Sequence, residues 1–184
     1  MKKLMMIAAM MVASLSASAQ NDDLKNEIGV YYGFGSASTV VSTIATSLTA
    51  FSSGDQRGFW GPIGLEYYYH VSPVVGVGAM ASIAGCKWGN DGEQKTKYIT
   101  VMPAVKFNWL RKNHFGMYSG LAAGLIFTSI SSSKGNTSGD SSATNFMAQI
   151  TALGAEFGGQ QLRGFAELGF GERGVLAVGL RYKF

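Results

Sequence analysis

Residues 177–184 read AVGLRYKF, and the alternation within this stretch decides the fold of the chain. Apolar side chains occupy the even-numbered positions from Val178 to Phe184, whereas Arg181 and Lys183 occupy odd-numbered ones. A period of two is the pattern of a β-strand with one apolar and one polar face. The sequence stops on a bulky aromatic residue, where a soluble domain usually ends in a frayed polar tail. We therefore expect Phe184 to be held in a sheet and to face apolar surroundings.

The same period of two recurs along the chain. Helices are disfavoured because glycine, 25 of 184 residues, sits inside apolar segments, and each glycine in a helix costs about 1 kcal/mol relative to alanine. Most alternating segments exceed the roughly five or six residues usual in soluble sheets and suit tilted membrane-crossing strands, which need about 9–11 residues. The predicted fold is all-β, an eight-stranded antiparallel up-and-down transmembrane β-barrel. The predicted strands are 27–35, 58–70, 74–87, 97–110, 115–130, 144–158, 162–171 and 175–184.

The connections between these segments alternate in length, except that the last one, at 171–174, is short where the alternation calls for a long one. Polar, Ser/Thr/Gly-rich loops are predicted at 36–57, 88–96 and 131–143, and short connections separate the other strands. Such alternation places all long loops at one end, as in outer-membrane barrels with short periplasmic turns. We predict that the three loops face the outside. Within the first loop, segment 39–51 has apolar residues at helical spacing, which indicates either a short helix over the barrel mouth or local structure only.

The charged residues of the strands predict a polar interior. In a membrane barrel, apolar residues face lipid and polar residues face the lumen. With the charged set of each strand turned inward, three acids meet four bases, and buried charges must be paired. Glu156 falls on the apolar parity of its strand, which a bulge near Ala152–Gly154 would correct. The predicted lumenal charge network consists of Glu27, Glu66, Lys106, Arg163, Glu167, Arg181 and Lys183.

The N-terminus has the layout of a secretory signal peptide. Lys2 and Lys3 precede an apolar run at 4–12, and the small residues Ala-Ser-Ala follow at 17–19. We predict a cleaved leader at 1–19 and an outer-membrane β-barrel domain at 20–184. Removal of the leader takes two of the 15 basic residues, so 13 remain against 11 acidic ones. No basic run remains, so no nucleic-acid partner is predicted.

With these features the chain resembles the small bacterial outer-membrane β-barrels of the OmpA/OmpX-like superfamily. The leader, the eight segments and the terminal GLRYKF carry the resemblance, and the leader is similar to those of Bacteroidetes. The resemblance implies a monomer in the outer membrane of a Gram-negative bacterium, surrounded by membrane lipid and lipopolysaccharide. It also implies a C-terminal insertion signal read by the barrel assembly machinery. The matching positions of that signal are Gly179, Leu180, Tyr182 and Phe184.

Residues with catalytic potential are few. The pair His70 and Ser72 resembles the His-x-Ser pair of lipid A deacylase barrels, but Ser72-Pro73 also fits ordinary turn chemistry. The single cysteine, Cys86, and two distant histidines have no metal-ligand spacing. We predict no catalytic residues, no metal and no cofactor.

The predicted function is a non-enzymatic one in envelope structure, surface interaction or adhesion, through the outer loops and toward a partner that the sequence does not name. Three alternatives stay open: a narrow porin-like channel, a lipid A-modifying barrel hydrolase, and a soluble periplasmic calyx for an apolar ligand. An eight-stranded barrel has an interior just wide enough for side chains to fill, which disfavours a wide channel.

Overall fold

The computed structural model describes residues 24–36, 57–88, 94–112, 114–134 and 137–184. The predicted leader at 1–19 and the predicted local structure at 39–51 lie outside these residues. The described strands are β1 (Asn26–Phe34), β2 (Arg57–His70), β3 (Val75–Trp88), β4 (Gln94–Arg111), β5 (Phe115–Lys134), β6 (Thr137–Gly158), β7 (Leu162–Gly171) and β8 (Leu176–Lys183).

The eight strands form one closed barrel. Each strand pairs antiparallel with the next in sequence, and β1 also pairs with β8, so the order is β1 to β8 around the barrel. The seam places Glu27 opposite Lys183 and Val30 opposite Leu180. The predicted eight-stranded antiparallel up-and-down barrel is therefore confirmed.

The C-terminal residue is bonded across this seam. The amide of Asn26 donates to the carbonyl of Phe184 at 2.9 Å, and the amide of Phe184 donates to the carbonyl of Asn26 at 2.8 Å. The rings of Tyr182 and Phe184 stack on the outside of β8, with centroids 6.1 Å apart. Backbone pairing thus reaches Phe184 itself.

The barrel has two different ends because its connections differ. The turns after β2, β4 and β6 are short and share one end, here called the turn end. The β7–β8 connection, at 172–175, lies at the opposite end, where β1, β3 and β5 end and β2, β4 and β6 begin. Alternating strand direction fixes this arrangement.

The prediction of a loop at 131–143 is wrong for most of these residues. Strand β5 continues to Lys134 and β6 begins at Thr137, with Ser131 opposite Asp140 and Lys134 opposite Thr137. A composition rich in Ser, Thr and Gly indicated a loop, but cross-strand pairing in an extended hairpin satisfies the same backbone groups. The result is two strands of 20 and 22 residues.

A bulge in β6 explains the irregular alternation seen in its sequence. The register shifts between Thr151 and Leu153 on the β7 side, and a shift also occurs between Tyr118 and Gly120 on the β5 side. One extra residue turns the following side chains to the opposite face. Glu156 consequently points inward and is 2% exposed. The predicted bulge near Ala152–Gly154 agrees with this shift.

The interior is divided between apolar and charged halves. An apolar cluster fills the side formed by β2 to β5, and its members are Tyr68, Met80, Met102, Ala104 and Ala122. The charged side chains lie mainly on β1, β6, β7 and β8, and Glu66 on β2 and Lys106 on β4 reach into the same network. This second half carries the candidate site.

Candidate functional site, the ion-paired interior

The polarity of the barrel is inverted relative to a soluble protein. Large apolar side chains cover its outside, among them Leu65 at 58%, Leu180 at 54% and Phe170 at 65% exposed. Among the described residues, more polar and charged side chains than hydrophobic ones are buried. A contiguous apolar surface of this extent is rare on a soluble monomer. The inversion follows directly from period-two strands whose apolar set faces outward.

Glu27 on β1 accepts bonds from several neighbours near the turn end. Lys106 Nζ donates to its Oε1 at 2.7 Å, and His70 Nε2 lies 3.1 Å from its Oε2. Arg181 Nε and Lys183 Nζ lie 3.2 and 3.4 Å from its carboxylate oxygens. The carboxylate is fully buried, so it depends on these partners for the solvation that water would supply.

Glu156, turned inward by the bulge, binds the same cations from the opposite wall. Lys183 Nζ donates to it at 2.6 Å and Arg181 Nη1 at 3.0 Å, and Lys106 also forms an ion pair with it. Arg163 Nη1 lies 3.4 Å from the carboxylate. Glu27 and Glu156 therefore share Lys106, Lys183 and Arg181 between them.

Glu66 and Glu167 form the half of the network that is farther from the turn end. Arg173 Nη1 and Arg181 Nη2 each donate to Glu167 at 2.7 Å, and both arginines also pair with Glu66. Tyr118 adds its hydroxyl, which donates to Glu167 at 2.6 Å. Arg181 is the common element, since it pairs with all four carboxylates.

Aromatic rings surround the arginines and the lysine. The guanidinium carbon of Arg181 lies 3.7 Å from the ring centroid of Phe165, and that of Arg173 lies 4.0 Å from Tyr31. Lys106 Nζ lies 4.2 Å from the ring centroid of Tyr118. Rings in these positions attract the cations through their quadrupoles and exclude water from the ion pairs.

The connection between β7 and β8 covers this interior at the end opposite the turn end. Arg173 is in that connection, yet its side chain is buried and reaches Glu66 and Glu167. The Val175 amide donates to the Phe34 carbonyl at 2.9 Å, which holds the connection against the end of β1. Burial favours a lower pKa for Arg173, but Glu167 and Glu66 outweigh it and raise the pKa above the ordinary value. The connection therefore contributes a cation to the interior network.

The structure places all seven residues of the predicted lumenal network inside the barrel and joins them through shared partners. Three further members escaped the sequence reasoning: His70, Glu156 and Arg173. Glu156 was left out of the predicted network because the bulge reverses its parity, and Arg173 because it lies in the short connection between β7 and β8. The one available signal for Arg173 was the unexpected shortness of its connection. Of the predicted insertion-signal positions, Leu180 faces outward and Tyr182 and Phe184 stack.

The candidate His-x-Ser pair has other partners in the fold. His70 is buried against Glu27, and the Ser72 hydroxyl accepts the Val75 amide hydrogen at 3.0 Å. That bond is the usual turn interaction of a serine. Among the described ranges no group of three or more His, Cys, Asp or Glu side chains has metal-ligand geometry. No helix within those ranges is long and apolar enough to cross a membrane.

The fold and the site together define a closed eight-stranded barrel with an apolar exterior and an ion-paired interior. No protein-family model and no curated protein matches the sequence. Among solved structures, the chain is similar to the N-terminal β-barrel domain of OprF from Pseudomonas aeruginosa, with TM-score 0.47, 14% identity, and 87% of this chain and 98% of that chain covered. It is also similar to Ail, the attachment invasion locus protein of Yersinia pestis, with TM-score 0.47, 16% identity, and 87% and 97% covered. The complex of Ail with the heparin analogue sucrose octasulfate gives TM-score 0.45, 15% identity and the same coverage.

Proposed function

We propose that the protein is an integral barrel of a Gram-negative outer membrane that acts by surface interaction and has no catalytic role. The observation that carries the membrane location is the inverted polarity of the barrel. Leu180 and Phe170 are exposed while Arg181 and Glu167 are buried. A lipid exterior stabilises the first pair, and mutual ion pairing stabilises the second. The calyx alternative requires an apolar, open interior, whereas this interior holds a charge network.

The length of the shorter strands also supports a membrane location. Strands β8, β1 and β7 have 8, 9 and 10 residues, close to the roughly 9–11 that cross a bilayer at a tilt. The thickness of a bilayer therefore accounts for the full length of these three strands. We expect the barrel to be a monomer surrounded by outer-membrane lipid and lipopolysaccharide.

The filled lumen argues against the channel alternative. Arg173 and Arg181 cross the interior between Glu66 and Glu167, in a barrel size whose side chains fill the space. We expect the wild-type protein to give no steady conductance in planar bilayers. A stable single-channel current that depends on Arg173 would replace the present proposal with a pore.

The extended β5–β6 hairpin carries the proposed surface role. Within the described strands, β6 pairs with β7 only from Gln149 to Gly158, so residues 137–148 pair with β5 alone. Residues 141–146 are exposed on both faces, in contrast to the alternation within the barrel. An unpaired strand edge is a template for an extended segment of another protein. The proposed interaction surface is thus an edge of sheet.

Orientation and location can be tested together in intact cells. In a Cys86→Ser background, Ser142→Cys in the hairpin is expected to react with a membrane-impermeant maleimide, because the hairpin lies outside. Ser72→Cys at the turn end is the matched control and should react only after the outer membrane is permeabilised. Release of the protein by osmotic shock without detergent, or the reverse labelling pattern, contradicts the proposal.

The surface role is tested by shortening the hairpin without disturbing the barrel. Ile130 is opposite Ser141, so replacing 131–140 by Asn-Gly leaves a two-residue turn of the type that suits hairpins. We expect the shortened protein to keep its heat-modifiable gel mobility. Cells that display the wild-type protein should adhere to an epithelial monolayer more than cells without it, and cells that display the shortened protein should lose this gain. Equal adhesion by the two proteins would mean that the hairpin does not mediate the adhesion.

A further inference from the structure

A cavity of about 560 Å³ opens at the turn end, below the ion-paired interior. It lies among the three short turns, with Leu24 at its edge and Ser72 and Gln160 in its wall. Its volume is within the range of small-molecule sites, roughly 300–1,000 Å³. The basic side chains and the histidine that line it are Lys25, His70, Arg111, Lys112, Arg163 and Lys183.

Positive charge dominates this cavity. Five lysines and arginines line it, and no carboxylate is among the described lining residues. The two carboxylates behind it, Glu27 and Glu156, pair with Lys106 and Arg181 from the interior and with Lys183 of the cavity wall. Glu156 also pairs with Arg163. Arg111 and Lys112 at the rim are exposed, so they add charge that the interior network does not require. The excess favours an anion in the cavity.

We propose that this turn-end cavity binds a phosphate-bearing anion. Arginine presents a planar fork of donors that matches phosphate oxygens, and lysine adds a mobile point charge. Arg111 at the rim has one Nη2 bond, to the Leu24 carbonyl at 3.2 Å, and Lys112 lies beside it in the sequence. Deeper in the cavity, Lys183 and Arg163 are buried and already paired with Glu156, so the exposed rim cations Arg111 and Lys112 would hold the anion.

The phosphate has two possible sources, a soluble phosphorylated compound and the headgroup of an inner-leaflet phospholipid. Both present the same chemistry to the cavity. The inference goes beyond the proposed surface role, because it concerns the opposite end of the barrel and uses none of the hairpin residues.

The experiment measures binding to the purified full barrel in neutral detergent. Inorganic pyrophosphate is titrated by calorimetry, and retention of phosphatidylglycerol is measured by native mass spectrometry. We expect the double variant Arg111→Gln, Lys112→Gln to bind at least about tenfold more weakly, as loss of two cationic partners of an anion predicts. The control Lys95→Gln, Lys97→Gln removes two exposed cations at the opposite end and should bind like the wild type. Heat-modifiable mobility verifies that each variant is folded.

The outcomes separate the sources and can overturn the site. Pyrophosphate binding alone identifies a soluble phosphate, and retention of phosphatidylglycerol that the rim variant loses identifies a lipid headgroup. Equal weakening by both double variants, or no binding of either probe, overturns the proposal. Asp22 and Asp23 precede Leu24 in the sequence, so Asp22→Asn, Asp23→Asn is tested as well. Binding seen only in that variant would assign the cavity to the chain's own acidic segment and also overturn the proposal.

Discussion

The barrel has a tall wall and a short wall, which differ in strand length and in side-chain burial. Strands β4, β5 and β6 have 18, 20 and 22 residues, whereas β7, β8 and β1 have 10, 8 and 9. In the short wall, side chains alternate between the charged interior and the apolar exterior along the strand. In the upper tall wall, residues 141–146 are all exposed. Each face of the short wall therefore has one polarity, whereas burial constrains neither face at 141–146.

The largest effect is expected where the short wall meets the interior. Arg181→Met on β8 removes the cation that pairs with all four interior carboxylates. Breaking a buried ion pair by removing one partner costs about 3–5 kcal/mol. We expect a loss of that order in the free energy of unfolding, measured by urea titration of the protein refolded into lipid vesicles.

A second variant shows whether uncompensated charge is the cause. Glu66→Gln combined with Arg181→Met removes one positive and one negative charge, and it should recover part of the loss. If Arg181→Met alone unfolds within about 0.5 kcal/mol of wild type, a value typical of surface substitutions, the interior network does not stabilise the barrel.

The next effect tests the outer face of the same strand. Leu180 is 54% exposed and opposite Val30, so in the proposed membrane location Leu180→Arg places a cation against lipid. Lipid-facing arginine costs about 2–4 kcal/mol near mid-depth. The same urea titration in vesicles should show this loss. An unchanged midpoint would mean that Leu180 meets water or protein, and the proposed membrane location would fail.

A smaller effect is expected from overpacking the tall wall inside the barrel. A Cβ at Gly154 would lie 2.2 Å from the Tyr118 ring, and Tyr118 holds Glu167 by its hydroxyl. Gly154→Ala must displace that ring, and overpacking typically costs about 1–3 kcal/mol. Gly159→Ala is the control, because its nearest contact would be 3.7 Å. Equal unfolding midpoints for the two variants would show that Tyr118 can move freely.

The contrast between the walls also explains what the sequence could predict. Alternation in the short wall was readable because each face has one polarity, so Arg181 and Glu167 could be assigned to the interior from parity alone. The bulge at Thr151–Leu153 broke that parity, and so the sequence identified the irregularity at Glu156 without giving its register. Where both faces are exposed, as at 141–143, polarity carries no period, and composition alone indicated a loop.

The interior position of Arg173 could not be predicted from the sequence, for a different reason. Its neighbours Gly171 and Gly174 have positive φ angles of 138° and 106°, which let the backbone fold back so that a turn residue becomes an interior one. Sequence reasoning detected only that the connection was shorter than its neighbours at the same end. The inward fold depends on contacts with β1 and with the Gln149 side chain, which accepts the Arg173 amide hydrogen at 2.7 Å. Such long-range partners leave no local signal.

The smallest effect is expected in the hairpin, and it completes the comparison. Thr144→Arg makes the same kind of change as Leu180→Arg, but at a position of the tall wall exposed beyond the barrel. Surface substitutions of this kind usually change stability by less than about 0.5 kcal/mol. Measured in the same vesicles, the two arginine variants should therefore differ by most of the lipid penalty. If Thr144→Arg instead costs as much as Leu180→Arg, the hairpin lies in the bilayer, and its free edge could not meet a partner outside the cell.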